Sequence, residues 1–244
     1  MKSFFRVKET YVTIICDGDL LRTAQEAIFE ARGIIESKIA EDPFFGITYD
    51  PMEPKDSDHP LIQRMCSASV VAGVGPMAGV AGAVAEFAVR KLVDAGAEEA
   101  VIENGGDIAF YSPKGRSVGI FADHPVFRDL AFEVSSDDIL GICSSSRKIG
   151  PSVSLGESSI STVLSDNVVL ADCCATALGN IVKSEQGLAE CCERLGSLEG
   201  VRGCLSCCGD KIAMFGDLPE IVKADCSNVL RGTTVFDMWN TSSF

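Results

Sequence analysis

Basic residues are scarce: the chain of 244 residues has 21 Lys and Arg against 35 Asp and Glu, a formal net charge of -14, with no local basic cluster. A phosphate backbone or an anionic bilayer surface is repelled by such a chain, which excludes nucleic acid and membrane as partners. An apolar leader is missing too. MKSFFRVKETYVTIIC alternates apolar and polar residues as a strand does, and its charges interrupt any signal-peptide core, so the expected location is the cytoplasm with Met1 as the mature start. Leu and Ile are absent from Val70 to Val89, the stretch closest to a membrane span. Its apolarity rests on Ala, Gly and Val, Pro76 interrupts it and Glu86 charges it, which reads as a buried helix. Neither a repeat of 20 to 50 residues nor a composition-biased linker is present, so residues 1–244 form one domain, and 46% apolar residues suffice for its core.

Cysteine, by contrast, is abundant at 11 residues. Without a leader these are expected as reduced thiols. Three sets are adjacent pairs, Cys173 with Cys174, Cys191 with Cys192 and Cys207 with Cys208, and neighbours in sequence bridge only with strain. Most read as small buried apolar residues. Cys204 and Cys207 make a CxxC that, with Cys191, Cys192 and Cys208, suggests a zinc or iron–sulfur site, although no second pair stands at the usual spacing.

Periodicity gives an α+β order with helices packed on an antiparallel sheet. A strand over Phe4 to Cys16 leads to a helix over Leu20 to Ala40, with Leu21, Ala24, Ile28, Ala31 and Ile35 at helical spacing. After the proline-marked connection ITYDPMEPKDSDHP, an element over Leu61 to Ala72 reaches the turn at Gly73 to Pro76, and a helix runs from Met77 to about Ala95 with Gly96 as its stop. Ala100 to Ile102, Ile108 to Tyr111 and Arg116 to Phe121 read as three short strands. ILGICSSSRKIGPSVSLGESS holds a strand and a serine-rich loop, a second helix begins near Asp166, and VRGCLSCC with KIAMFG closes as a hairpin at Gly209 and Asp210.

Residues 66 to 107 constrain function most. Gly73, Gly75, Gly79 and Gly82 each cost about 0.5 to 1 kcal/mol in a helix relative to alanine, so close packing of backbones or close approach of a ligand must compensate. Gly75 and Gly79 form a small-xxx-small pair suited to contact with another backbone. Asn104, Gly105, Gly106 and Asp107 form either a plain hairpin turn or exposed amides for a phosphate or ring, with the aspartate on a ring nitrogen or hydroxyl. Asp172 and Thr176, four residues apart on a helix, offer two hard oxygens on one face, either a half-site for Mg²⁺ that phosphate and water would complete or a cap and a packed hydroxyl.

The ordered set GVGPMAGVAGAVAEFAVRKLVDAG, ENGGDIAF, RSVGIF and STVLSDNVVLADCCATALGNIV resembles the ApbE family, flavin transferases that move FMN from FAD onto a protein threonine. The resemblance covers about residues 66 to 183. It rests on Gly82 and Gly96, on the turn Gly105, Gly106 and Asp107, and on the Asp, Thr and Ala framework of ADCCATA. It implies Mg²⁺ on Asp172 and Thr176 with a backbone carbonyl near Ala78. It also implies a flavin such as FAD, or another nucleotide, beside Gly75, Ala78, Gly79, Gly82, Asn104, Gly105, Gly106 and Asp107. The activity implied is a flavin-nucleotide transferase or pyrophosphatase, with a small-molecule nucleotide or a protein as substrate. This chain departs from the family where Ala81 precedes Gly82 in place of lysine, where Glu86 replaces an aspartate, and where the family's histidine segment has no counterpart, His59 and His124 lying elsewhere. Arg147 and Lys148 are the basic residues in that interval, as phosphate contacts or solvated charges. Val74 to Ala78 is similar to a shorter branch of the superfamily, common in methanogens and sulfate reducers and associated with sulfide assimilation into cysteine and homocysteine. That association implies an alternative, a sulfur relay with a persulfide on one or more of Cys66, Cys173, Cys174, Cys204 or Cys207, a thiolate near a helix N-terminus being favoured by the dipole. An apolar, glycine-lined surface would suit a homodimer.

Overall fold

The computed structural model describes residues 1–7, 10–120, 130–146, 156–223 and 230–231. Strands β1 (Lys2–Val7) and β2 (Thr10–Cys16) precede helices α1 (Leu21–Glu41), α2 (Pro60–Ala72) and α3 (Val80–Asp94). Then come β3 (Ala100–Asn104), β4 (Asp107–Ile120), β5 (Leu130–Ser145) and β6 (Ile160–Ser165), helices α4 (Val168–Ile181) and α5 (Leu188–Gly196), and strands β7 (Val201–Cys208), β8 (Lys211–Gly216), β9 (Glu220–Lys223) and β10 (Leu230–Arg231). Among the described residues β1 to β8 lie in one sheet in sequence order, each antiparallel to the next. β9 adds antiparallel to β5 and β10 parallel to β4. The expected α+β architecture is therefore the one observed.

Several boundaries differ from the sequence expectation, each for a physical reason. The first strand is a hairpin in which Val7 pairs with Thr10, and no Gly, Pro, Asn or Asp marks that break in the sequence. The two strands expected on either side of Pro113 are one, β4, whose register against β5 shifts between Phe110 and Ser112 and again before Arg116. A bulge absorbs Pro113 and the left-handed Gly115, and Glu99 ties it down through Ser112 Oγ (2.6 Å) and Arg116 Nη2 (2.6 Å). β6 carries no strand signal in the sequence: all six of its residues are buried between β5 and β7, and ISTVLS mixes three apolar with three hydroxyl residues without the alternation that marks a strand. The helix after it starts two residues later than expected, at Val168, because Asn167 caps it by accepting from the Leu170 amide (3.2 Å). Pro76–Gly79 forms a separate 3₁₀ turn before α3. α2 and the segment Pro76–Asp94 meet at 110°, so the apolar stretch is folded back on itself, and among the described residues no single helix is long and apolar enough to cross a membrane.

The sheet has a core on each face. Ile14, Ile102, Ala109, Cys143 and Val163 point to the helices, while Ile108, Phe110, Ile142 and Leu164 lie on the other face with Val118, Phe132 and Val134 from the far halves of β4 and β5. The bulges let those far halves curl back over their own sheet.

Glu86 joins three helices. Its carboxylate, 2% exposed, takes Arg90 (Nη2 2.6 Å, Nε 2.9 Å) and Arg64, and also accepts from the Val169 amide (3.4 Å) at the start of α4. An anion there satisfies an orphan donor and the helix dipole together. Glu86→Ala should therefore lower stability by roughly 2 to 3 kcal/mol, whereas Arg90→Ala, at a half-exposed partner, should cost under about 1 kcal/mol. Urea titration of the two variants tests that asymmetry.

Candidate functional site

Two elements meet at the first turn of α3. Asn104 Nδ2 donates to the Ala81 carbonyl (3.1 Å), and the Gly82 amide donates to Asp172 Oδ2 (2.7 Å), so one peptide unit is held from both sides. The glycines make this approach feasible. A Cβ at Gly82 would stand 2.9 Å from the Asp172 Cβ and 3.0 Å from the Val168 carbonyl, and one at Gly79 would stand 2.8 Å from Cys173 Sγ. Gly79 and Gly82 thus compensate their helix cost by packing inside the fold, against α4. They line no surface. Gly75 does not join them: its neighbour is the Thr48 backbone in the loop after α1.

The Asn104–Gly105–Gly106–Asp107 turn is a two-residue hairpin, with φ of +67° at Gly105 and +111° at Gly106. Because Asn104 and Asp107 pair, and Asp107 pairs with Cys143, all three side chains share the helix-facing side of the sheet. Asp107 is accordingly buried under α4 and does not project from the turn, as a residue reading a ring nitrogen or hydroxyl would. Its carboxyl faces Asp172. Burial pushes Asp107 up to about 7, partly offset by the Ser144 backbone and the Cys143 thiol, and burial followed by repulsion from Asp107 holds Asp172 well above the carboxylate range. At neutral pH the pair retains a proton. One oxygen, Asp107 Oδ1, is buried without any hydrogen-bond partner. On the opposite face Glu103 is also raised to about 7 by burial.

Thr176 lies one turn beyond Asp172, half-buried, and Ala78 is half-buried in the 3₁₀ turn that rests on α4. Asn104, Gly82, Asp107 and Asp172 are therefore brought together, with Gly79, Ala78 and Thr176 on the flanks, and Gly105 at the exposed tip of the turn. Sequence reasoning missed Cys143. The available signal was strand register: a residue opposite Asp107 on β5 must share its face. Arg147, Lys148 and His124 fall outside the described residues. His59 caps α2 through Nδ1, accepting from the Leu61 amide (3.1 Å).

The thiols are placed differently from the expectation of a dipole-favoured thiolate. Cys66, Cys173 and Cys174 are each at most 1% exposed. Burial pushes all three up, Cys174 to about 12. Cys173 and Cys174 also start a full turn and more inside α4, beyond the reach of its N-terminal field. The cysteine metal site dissolves as well. Cys204 and Cys207 sit an odd number of residues apart on β7 and face opposite cores, Cys204 the helices and Cys207 the other side. Among the described residues no three His, Cys, Asp or Glu side chains converge as a metal site. The ten described cysteines are free, and among them Cys191 alone is half-buried, the other nine being buried. Iodoacetamide under native conditions should modify Cys191 first among the ten and leave Cys66, Cys173 and Cys174 untouched until unfolding, as read by peptide mass spectrometry.

Comparison with known proteins adds a family. A family model described as AbpE bacteria matches residues 3–193. A UPF0280 protein of Methanocella arvoryzae is 40% identical over 231 residues, covering 93% of this chain and 94% of the relative. One from Methanothrix thermoacetophila is 43% identical over 227 residues, 92% and 95% of the two chains. Among solved structures, the apo flavinyl transferase ApbE of Pseudomonas stutzeri superposes with a TM-score of 0.60 at 13% identity, over 88% of this chain and 93% of that one. The ApbE protein of Thermotoga maritima gives 0.59 at 13% identity, over 92% and 97%. At such identities the structural likeness concerns the fold.

Proposed function

This chain belongs to the AbpE family, and from that premise we propose that it binds a nucleotide pyrophosphate, FAD in the first instance, together with Mg²⁺ at the junction of α3, α4 and the Asn104–Asp107 turn. The observation that carries the reading is the buried Asp107–Asp172 pair with its partnerless Oδ1. Two facing carboxyls under a helix cost stability unless a proton or a cation lies with them. The donor set suits Mg²⁺: hard oxygens from Asp172, Asp107 and the Thr176 hydroxyl, too few for a closed protein cage, leave room for phosphate and water. When bound, the ion would neutralise charge on a pyrophosphate oxygen and so favour attack at phosphorus.

The chain's own residues have separate tasks in this reading. Asn104 and Asp172 fix the Ala81–Gly82 peptide and with it the start of α3. The pair shares a proton, held more tightly by Asp172 than by Asp107, and that proton must leave for a cation to enter. Gly105, open to solvent at the tip, lets a ligand backbone pass close. Ala81, standing where the related flavin transferases carry lysine, leaves phosphate charge to the ion and to backbone amides. Transfer of FMN to a protein threonine, or release of AMP and FMN by water, would both begin from this bound state. Residence in the cytoplasm belongs to the same reading.

Calorimetric titration with FAD, with and without Mg²⁺, tests it, alongside chromatography for AMP. Binding that strengthens at least about tenfold with Mg²⁺, a difference of about 1.4 kcal/mol, is the expected result. Absence of binding and of AMP release at saturating FAD and Mg²⁺ would remove the proposal.

A further inference from the structure

The loop after α1 and the end of α2 leave large apolar side chains in water. Phe44 is 56% exposed, Ile47 73%, Tyr49 76%, and Val70 and Val71 about 40% each. They form one patch because the loop is fastened to α2 and to the turn after it. The Met52 amide donates to Ser69 Oγ (3.3 Å), and Thr48 packs on Gly75 so closely that a Cβ there would overlap its carbonyl. Phe45, the neighbour of Phe44, is fully buried and roots the loop in the core. A soluble surface seldom groups this many large apolar side chains without a partner.

The rim of the patch is acidic. Glu41, Asp50, Glu53 and Asp56 are exposed beside it, and Lys55 is the one exposed cation in the same stretch. We propose that this patch docks a polypeptide segment of a partner protein that carries large apolar side chains flanked by lysine or arginine. Charge decides between occupants. A second copy of this chain would bring two acidic rims together in a molecule of net charge -14, and like charges in juxtaposition oppose such contact. An anionic lipid surface is repelled for the same reason. A cationic apolar segment satisfies both the rim and the patch. The proposal stands apart from the flavin reading, since neither metal nor nucleotide enters it.

Fluorescence anisotropy with a labelled peptide alternating leucine and lysine, added to the full chain without FAD or Mg²⁺, provides the test. Binding should weaken about tenfold in the Ile47→Ser, Tyr49→Ser double variant, as expected for removal of central apolar anchors. It should also fall in Asp50→Lys with Glu53→Lys and with rising salt, and a leucine–glutamate peptide should not bind. All four substituted residues are exposed, and unchanged circular dichroism establishes that the variants fold. Equal binding by the double variant and the parent overturns the proposal. So does a dimer in sedimentation that the double variant abolishes, which assigns the patch to a second copy. A change in emission of the single tryptophan, Trp239, on Ile47→Ser with Tyr49→Ser also overturns it, by assigning the patch to the chain's own C-terminal segment.

Discussion

Gly82→Ala destabilises the fold by roughly 2 kcal/mol and removes any Mg²⁺-dependent gain in ligand affinity. Intrinsic propensity points the other way, since alanine is favoured over glycine in a helix interior by about 1 kcal/mol. Packing decides the sign. The added methyl would stand 2.9 Å from the Asp172 Cβ, 3.0 Å from the Val168 carbonyl and 3.1 Å from Asp172 Oδ2. Two of these are α4 backbone or stem, which move only by shifting the helix, and overpacking of that kind costs about 1 to 3 kcal/mol. Separation of α3 from α4 also breaks the 2.7 Å hydrogen bond from the Gly82 amide that orients Asp172. Thermal unfolding reads the first effect, and calorimetry with FAD in the presence and absence of Mg²⁺ reads the second. A variant more stable than the parent would show that the turn is free to expand.

Asp107→Asn has the opposite sign on stability, and the pH dependence explains why. A carboxyl whose folded pKa lies above its unfolded value holds its proton more tightly when folded. Its contribution to stability is then complete below the unfolded value near 4 and is lost as pH rises through the folded value, about 7 for Asp107. The metal-free chain should thus lose stability between pH 4 and 7, with Glu103, also raised to about 7 on the other face, adding to the slope, and should go on losing it above pH 7 through Asp172, which is raised further. Asparagine at 107 removes the Asp107 part of that loss and should raise stability at pH 8 by roughly 1 to 3 kcal/mol, each pKa unit being worth about 1.4 kcal/mol. Under the proposed function the same change abolishes stabilisation by Mg²⁺ in the parent chain at pH 8. Urea midpoints at pH 5 and pH 8, with and without Mg²⁺, give all the needed comparisons. Stability that rises with pH in the parent would contradict the arrangement of the two carboxyls. Such a trade of stability against binding marks a site and not a packing detail.

The fold class was legible because its signals are local. Helical spacing in Leu21 to Ile35, the stop at Gly96 and the glycine pair at 105 and 106 each act within a few residues, and tertiary contacts reinforce them. β6 and the joined β4 were not legible. A fully buried strand has no alternation, and Pro113 with Gly115 breaks a strand in most contexts yet here sits in a bulge fastened by Glu99. For the site, the sequence by itself determined the glycines at 79 and 82, the NGGD turn and the Asp172–Thr176 spacing, and through them the family. Tertiary structure alone decided what these residues do to one another. Strand register turned Asp107 inward beside Cys143, the approach of α4 set Asp172 against it, and together they made a proton-retaining pair from two carboxylates 65 positions apart in sequence. Burial likewise decided the cysteines. Their spacing advertised thiol chemistry or a metal, but desolvation depends on what surrounds a sulfur, and that is fixed only when helices close over the sheet.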